Sequence, residues 1–375
     1  MKKTIAYILA AACAASLAAC AGQTREEPGG SDATVIFEDT AEERALAGMS
    51  LRQKAAQVVM ASCHENGGAE RAAAFGVGAL CLYSDAFQGK TGAEVRGMTA
   101  ALQSAAALPL LISVDEEGGS VCRVSTNPLL RAEPFKAPLE LLSEGGTALL
   151  ESDTAEKSAL LLSLGVNVNL APVCDVPLSE SDYIYERSFG LDARTSSDCV
   201  CLVVGEMKSA GIGCALKHFP GYGGSADTHR GLAYDRRSCS DFEASDFLPF
   251  EAGVAAGADA VLVSHNIVEC MDAQLPASLS PEVHRILRDE LGFEGVAISD
   301  DMFMDAIRQF TGGENAAVQA FLAGNDLICC GDFEQSAAAI EAAVKDGTIA
   351  EARLDASVLR VLAWKARLGL DISAK

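Results

Sequence analysis

The segment from Lys217 to Asp235, "KHFPGYGGSADTHRGLAYD", concentrates side chains that can move protons. It holds two of the five histidines of the chain, His218 and His229, in a run too rich in glycine to form a helix. His229 follows Asp227 by two residues, and in an extended backbone such residues point to the same side. Asp227 can then hydrogen bond one imidazole nitrogen and leave the other for a substrate, an arrangement typical of a general acid or base. The alternative is an Asx turn beside an exposed histidine.

A second group suited to chemistry is the carboxylate of Asp300. It follows the apolar run "VAIS", so a buried strand would hold its backbone rigidly, and we interpret it as the best nucleophile in the sequence. The alternative role for Asp300 or Asp301 is to cap the following helix, "MFMDAIRQF". No cysteine pair or Cys/His array has the spacing of a zinc site. We therefore expect acid–base chemistry without a metal or an organic cofactor.

Four basic residues are candidates for binding a substrate. Lys217 and His218, at the end of an apolar run, can bind hydroxyls or a carboxylate, or can form a buried ion pair. Arg123 in "DEEGGSVCR" and Arg187 in "ERSFGLD" can clamp substrate oxygens, or can lie solvated in their loops.

The elements that must position these residues alternate along the chain. Longer helix-like stretches, such as "TGAEVRGMTAALQSAA", separate apolar runs that read as strands. The eight runs are "AAQVVMAS", "GVGALCLY", "PLLISVD", "VNVNLAPVCDV", "CALKHF", "AVLVSHN", "GVAISD" and "DLICC". Continuous apolar strands alternating with helices indicate a buried parallel sheet. Eight such units predict an α/β fold of the (β/α)8 TIM-barrel type, with an open doubly wound sheet as the alternative.

Polar residues recur where the predicted strands end. The third to seventh runs end in Asp115, Asp175, Lys217-His218, His265-Asn266 and Asp300-Asp301. The carboxyl ends of barrel strands carry the active site in this fold, so we expect these side chains to share one rim.

The overall composition and charge limit which classes of protein this chain can belong to. A hydrophobic content of 49% over 375 residues is ample for a large core. A formal net charge of −23 disfavours nucleic acid and anionic membrane surfaces as partners.

The N-terminus predicts export. "MKK" precedes an apolar run too short for a permanent membrane span, which is typical of a secretory signal. The small residues before Cys20 are similar to a bacterial lipobox, in which that cysteine is lipidated; an ordinary signal peptide is the alternative. We therefore predict a lipoprotein signal peptide over 1–19, a flexible tether over 20–40 and a single barrel domain over 41–375. The predicted location is extracytoplasmic, with a lipid anchor as the only membrane contact.

Seven motifs in order resemble glycoside hydrolase family 3, and most of all its bacterial β-N-acetylglucosaminidases. They are "MSLRQKAAQ", "DEEGGSVCR", "VNVNLAPVCDV", "ERSFGLD", "KHFPGYG", "DTH" and "LGFEGVAISDDMFMDAI". The resemblance extends from about Leu46 to Leu370.

The resemblance implies roles for particular residues. The aspartate of the S-D-D motif, here Asp300, is the nucleophile, and the histidine of the D-S-H loop, here His229, is the acid/base with Asp227 as its partner. Sugar-binding positions fall on five further residues: Asp115, Arg123, Arg187, Lys217 and His218.

The sequence departs from the family pattern in the loop that carries His229. Tyr222 replaces the second histidine of KHFPGHG, and Thr228 replaces the serine of D-S-H. Three residues, 224–226, stand where the pattern has four. The glycines predict a flexible loop that can swing between positions, and His229 lies on this loop.

The resulting prediction is a retaining exo-β-N-acetylglucosaminidase that acts on a carbohydrate, with cell-wall fragments as plausible substrates. Within the family, a phosphorylase or a β-glucosidase is the alternative. Outside enzymes, the alternative is a sugar-binding lipoprotein that has lost activity.

Overall fold

The computed structural model describes residues 40–64, 67–225, 227–312 and 315–373. The predicted signal peptide, Cys20 and all of the predicted tether except its last residue lie outside these ranges. The described residues belong to one compact unit.

Eight parallel strands form the central sheet of that unit. They are β1 (Val59–Cys63), β2 (Ala79–Leu82), β3 (Leu111–Val114), β4 (Val168–Asn169), β5 (Gly213–Phe219), β6 (Ala260–Val263), β7 (Val296–Ser299) and β8 (Ile328–Cys330). Their spatial order is β7-β6-β5-β4-β3-β2-β1-β8, and a parallel bridge from Ile298 to Leu327 joins the two ends. Each strand overlaps one of the eight predicted runs, so the predicted barrel fold is confirmed.

Helices surround this barrel. They are α1 (Ala41–Ala47), α2 (Leu51–Gln57), α3 (Gly68–Phe75), α4 (Gly92–Ala105), α5 (Pro138–Ser163), α6 (Ala193–Ala210), α7 (Cys239–Ala244), α8 (Phe247–Ala255), α9 (Pro281–Arg285), α10 (Asp305–Thr311), α11 (Ala317–Ala323), α12 (Phe333–Lys345) and α13 (Glu351–Arg367). A π-helical turn, Ile286–Glu290, continues α9. Within the described ranges, no helix combines the length and the apolar character that a membrane span requires.

The core has two apolar layers because successive strand residues face opposite sides. Inside the barrel, alternate strand residues such as Met60, Cys81 and Ile298 pack together with Trp364 of α13. A Cβ atom at Gly213 would lie only 2.8 Å from Trp364 Nε1, so this close approach requires glycine at the start of β5. The other strand face packs against the surrounding helices.

Seven of the eight predicted runs are longer than the strands that they overlap, and two of these differences have local causes. The first is shortened because α2, which begins with a capping box at Ser50, continues to Gln57. The fourth pairs only over Val168–Asn169, and Pro172 has no N–H to donate. Pairing resumes at a bridge between Val173 and Lys217. The polar residues that follow these strands are nevertheless placed at the same end of the barrel.

Candidate active site

A cavity of about 580 Å³ lies at the carboxyl ends of the strands. Its wall contains all eight side chains to which the sequence assigned catalysis or sugar binding: Asp115, Arg123, Arg187, Lys217, His218, Asp227, His229 and Asp300. They come from segments far apart in sequence, and the barrel brings them together.

The ammonium of Lys217 belongs to a side chain that is only 2% exposed. Its Nζ lies 2.6 Å from Asp115 Oδ1 and 2.5 Å from Glu117 Oε1. Burial lowers the pKa of Lys217, but the Asp115 and Glu117 charges outweigh that effect and raise it. The ion pair that was the alternative role for Lys217 is therefore present, and it lies within the wall of the cavity.

Glu117 joins this lysine to Arg187. The guanidinium donates to both carboxylate oxygens, from Nε at 3.0 Å and from Nη2 at 2.8 Å. Burial raises the pKa of Glu117, yet the Arg187 and Lys217 charges reverse the shift and hold it well below its usual value. Arg187 is therefore not a solvated loop residue, which was the alternative for it.

Glu117 was missed by the sequence analysis. It stands two residues after Asp115 in "DEEGG", and both carboxylates reach the same ammonium. Its neighbour Glu116 is also buried but turns away, accepting from the N–H groups of Arg123 and Val124 at 2.8 and 2.7 Å. The position of Glu117 two residues after Asp115 was the signal in the sequence that could have identified it.

His218 is fixed on both ring nitrogens. Nδ1 lies 2.7 Å from Asp175 Oδ2, and Nε2 lies 3.2 Å from Nη2 of Arg187. A guanidinium can only donate, so Nε2 accepts and the Nδ1–H donates to Asp175. In this arrangement His218 has no proton to give at Nε2.

Arg123 presents a cation to the cavity. Its guanidinium carbon lies 5.6 Å from the centroid of the Tyr83 ring, which also lines the cavity. Its Nε is buried, and among the described residues it has no hydrogen-bond partner. Because Arg123 lines the cavity, its guanidinium can donate to a substrate oxygen there.

The carboxylate of Asp300 lies directly after β7. Its backbone N–H donates to the carbonyl of Val263 at 2.9 Å, which continues the sheet pairing into the cavity wall. Its Oδ1 accepts the N–H of Asp301 at 2.9 Å. Asp300 therefore lies at the end of a buried strand, as the sequence predicts.

Neither aspartate caps the next helix. α10 begins at Asp305 with Met304 as its N-cap. Asp301 instead accepts the N–H of Phe303 and, through Oδ2, the hydroxyl proton of Ser62 at 2.6 Å. The capping expectation for Asp301 is wrong because a turn separates it from the helix.

Asp227 and His229 form a pair, but not through an extended backbone. Residues Thr228–Arg230 make a 3-10 turn with Asp227 as its N-cap. Asp227 Oδ1 accepts the backbone N–H of His229 at 3.0 Å and lies 2.7 Å from its Nδ1. The Asx turn and the imidazole–carboxylate pair, which the sequence posed as alternatives, thus occur together. With Nδ1 engaged by Asp227, Nε2 is the nitrogen available to a substrate.

The cavity contains a third histidine, which the sequence analysis did not identify. His64, after β1, stacks on Tyr83 with 3.8 Å between ring centroids, and its Nε2 lies 3.4 Å from Asp301 Oδ2. His265, by contrast, is fully buried, and its Nε2 lies 3.0 Å from the carbonyl oxygen of Asp301. Burial lowers the pKa of His265. Asn266 is likewise buried, so these two strand-end residues support the rim without lining the cavity.

The arrangement suits a polar, neutral ligand with many hydroxyl groups. Charged donors and acceptors lie on one wall, while Asp300 and the Asp227–His229 pair supply a carboxylate and an imidazole. Among the described residues, no group of three or more His, Cys, Asp or Glu side chains could hold a metal ion.

Comparison with known proteins identifies the family. Residues 50–364 match the family described as "Glycosyl hydrolase family 3 N terminal domain". The chain belongs to glycosyl hydrolase family 3. The predicted resemblance is therefore confirmed at the level of the family, and the chain is a glycoside hydrolase.

Curated family 3 relatives point to one activity. A "Beta-hexosaminidase" of Stenotrophomonas maltophilia strain K279a is 37% identical over 240 residues, which are 63% of this chain and 71% of the relative. Another from Xanthomonas campestris pv. campestris strain B100 is 32% identical over 299 residues, covering 79% of this chain and 87% of that one.

Solved family 3 structures agree. A β-N-acetylglucosaminidase from Paenibacillus sp. FPU-7 superposes with a TM-score of 0.79 at 32% identity, covering 88% of this chain and 64% of that one. A β-N-acetylhexosaminidase from Beutenbergia cavernae superposes with a TM-score of 0.76 at 27% identity, covering 85% of this chain and 99% of that one. These likenesses support a family 3 β-N-acetylglucosaminidase activity for the chain.

Proposed function

We propose that this glycoside hydrolase is a retaining exo-β-N-acetylglucosaminidase with Asp300 as nucleophile and His229 as acid/base. The observation that carries the proposal is the meeting of two features in one cavity: Asp300 at the end of β7, and the Asp227–His229 pair on the loop after β5. Retaining glycosidases need a nucleophile and a separate proton-transfer group, and most use two carboxylates. In this proposal an imidazole replaces the second carboxylate.

The proposed reaction has two steps. Asp300 attacks the anomeric carbon while His229 Nε2–H protonates the departing glycosidic oxygen, so a glycosyl ester forms and the C–O bond breaks. The neutral imidazole then takes a proton from water, which attacks the same carbon and releases the sugar and Asp300. Asp227 accepts from Nδ1 throughout, so it orients the ring and stabilises the imidazolium.

We assign the recognition of the sugar to the charged wall. Asp115 and Lys217 form an ion pair at 2.6 Å, and each retains capacity for hydroxyl groups. Arg123, Arg187 and His218 complete the wall. Because these partners hold one another in place, little side-chain freedom would be lost when the sugar binds.

The decisive experiment compares aryl glycosides that differ only in the 2-substituent. The proposal expects turnover of the aryl N-acetyl-β-glucosaminide to exceed that of the aryl β-glucoside by a large factor. Preference for the glucoside would reassign the chain to a β-glucosidase. If the folded protein turns over neither glycoside, the result would favour the sugar-binding lipoprotein.

A phosphorylase is favoured by one feature, the use of an imidazole where most retaining enzymes have a carboxylate. An imidazole repels a phosphate nucleophile less than a carboxylate does. Product analysis in phosphate buffer separates the two: free N-acetylglucosamine indicates hydrolysis, and the sugar phosphate indicates phosphorolysis.

We also propose that the protein acts outside the cytoplasm, attached to the membrane through lipidated Cys20. The support is the basic start, the short apolar run and the small residues before Cys20. Such a location would place fragments of the cell wall within reach as substrates. Cys20→Ala should move the protein from the membrane fraction to the soluble fraction at unchanged specific activity, and continued tight membrane association of the variant would contradict the anchor.

A further inference from the structure

Two residues that depart from the family pattern, Tyr222 and Thr228, hydrogen bond to each other. Their hydroxyl oxygens lie 2.5 Å apart. Tyr222 is 1% exposed and Thr228 is fully buried. The family pattern has histidine and serine at these positions, and the segment between them is one residue shorter here. The hydrogen bond therefore ties together the two ends of the altered segment.

The Tyr222 end of this contact belongs to the barrel frame. Its backbone N–H donates to Asp175 Oδ1 at 2.7 Å, and the other oxygen of that carboxylate holds His218. The Tyr222 ring meets the His218 ring edge-on at 5.1 Å and packs against Val173 and Ile184. The phenol is thus fixed by the same groups that fix the sugar-binding wall.

The Thr228 end belongs to the loop that carries the acid/base candidate. Thr228 lies between Asp227 and His229 and is the first residue of their 3-10 turn. The His229 side chain is 57% exposed, so packing of the imidazole itself does little to hold it. Since Thr228 is the buried residue of the turn, its hydroxyl is where the barrel can set the position of the turn.

We propose that the Tyr222 hydroxyl is a positioning group that holds the Asp227–His229 turn against the barrel. The inference rests on the proposed acid/base role of His229. The glycines of the loop permit the predicted swing, and the Tyr222–Thr228 hydrogen bond opposes it. When the bond is absent, the imidazole spends less time within reach of the glycosidic oxygen, and proton transfer slows.

The test uses Tyr222→Phe, which removes the hydroxyl and keeps the ring. For an N-acetylglucosaminide with a poor leaving group, kcat/KM should fall roughly 3- to 10-fold, the effect expected of one neutral hydrogen bond. For the dinitrophenyl glycoside, which needs no proton, the loss should stay below about twofold. A purely structural loss of active protein would lower both rates equally. Tyr234→Phe makes the same chemical change on an exposed ring outside the cavity and should behave as wild type.

Variants of Thr228 test the contact from its other end. Thr228→Val should lower kcat/KM for the poor leaving group more than for the dinitrophenyl glycoside, as Tyr222→Phe does. Thr228→Ser keeps a hydroxyl and should retain the wild-type ratio of the two kcat/KM values. The double variant Tyr222→Phe/Thr228→Val should lose no more kcat/KM than either single variant. If Tyr222→Phe and Thr228→Val keep the wild-type ratio while His229→Ala loses it, the positioning role is wrong. If His229→Ala itself shows no dependence on the leaving group, the proposed acid/base role fails and the positioning role fails with it.

Discussion

Glu117 Oε1 lies 2.5 Å from Lys217 Nζ, and both side chains are almost fully buried in the wall of the cavity. Arg187 pairs with the same carboxylate, so removing the Glu117 charge would break the ion pair of Arg187 and leave Lys217 with Asp115. Breaking a buried ion pair by removing one partner typically costs about 3–5 kcal/mol.

Glu117→Gln should therefore be strongly destabilising, by about 3 kcal/mol or more, and should raise KM because the sugar-binding wall loses its alignment. Denaturant unfolding and steady-state kinetics measure the two effects. Glu144→Gln is a matched control, since its ion pair with Lys136 is exposed on both sides and should matter by less than about 1 kcal/mol. Equal stability of the two variants would show that Glu117 does not support the wall.

Acid should weaken the same cluster. The pKa of Glu117 is lower in the folded chain than its usual 4.5, so the unfolded chain binds more protons when the pH falls below that value. The stabilisation from Glu117 is present above about pH 4.5 and is lost as the pH falls toward the folded-state pKa. Between pH 6 and pH 3, the free energy of unfolding of Glu117→Gln should therefore fall less than that of the wild type.

Burial of Lys365 predicts that stability also rises with pH in the alkaline range. It is fully buried in α13 with Gln57 Oε1 at 2.6 Å, and burial lowers its pKa from 10.5 to about 7. The unfolded chain therefore binds more protons between pH 7 and pH 10.5, so wild-type stability should rise across that range by a few kcal/mol relative to Lys365→Met. Thermal unfolding at pH 7, 8, 9 and 10 measures the trend. The stability of Lys345→Met, a change at an exposed position, should vary with pH in parallel with that of the wild type. If the stability of Lys365→Met also varies in parallel with that of the wild type, the pKa of Lys365 is not shifted.

The strands and the rim residues are predictable from the sequence because both depend on local patterns. Apolar runs report burial on both faces of a parallel strand, and a polar residue at the end of such a run reports the rim. Asp115, Lys217 and Asp300 were all found in this way.

Other parts of the site depend on pairing between distant segments, which no local pattern reveals. The contact of Glu117 with Arg187 joins two different loops, and the His64–Tyr83 stack joins the ends of two strands. Thr228 was noted only as a replacement for the serine of D-S-H, and its burial was not predicted, because a threonine in a glycine-rich loop usually lies in solvent. The buried contact with Tyr222 becomes visible only in three dimensions.

The nucleophile can be tested by trapping it. A 5-fluoro N-acetylglucosaminyl fluoride should glycosylate Asp300 with loss of fluoride, because the 5-fluorine destabilises the cation-like transition state while the anomeric fluoride remains a good leaving group. Peptide mass spectrometry should place the label on Asp300 and not on Asp301, whose Oδ2 accepts the Ser62 hydroxyl proton. Asp300→Ala should lose on the order of 10⁴-fold or more in kcat with unchanged thermal stability. A label on Asp301 would transfer the role to that residue.

The most direct test of the mechanism is how the loss of activity in His229→Ala depends on the leaving group of the substrate. General acid–base assistance is typically worth about 10²–10⁴-fold, so the variant should lose that much on poor leaving groups. It should lose much less in the glycosylation rate of the dinitrophenyl N-acetylglucosaminide. The glycosyl-enzyme should then accumulate, and azide should restore turnover by attacking without a base and yielding the β-glycosyl azide. Arg236→Ala, a change at an exposed position whose ion pair is with Glu269, should leave turnover of both substrates near wild type. An equal loss on good and poor leaving groups, with no rescue by azide, would contradict the assignment of His229.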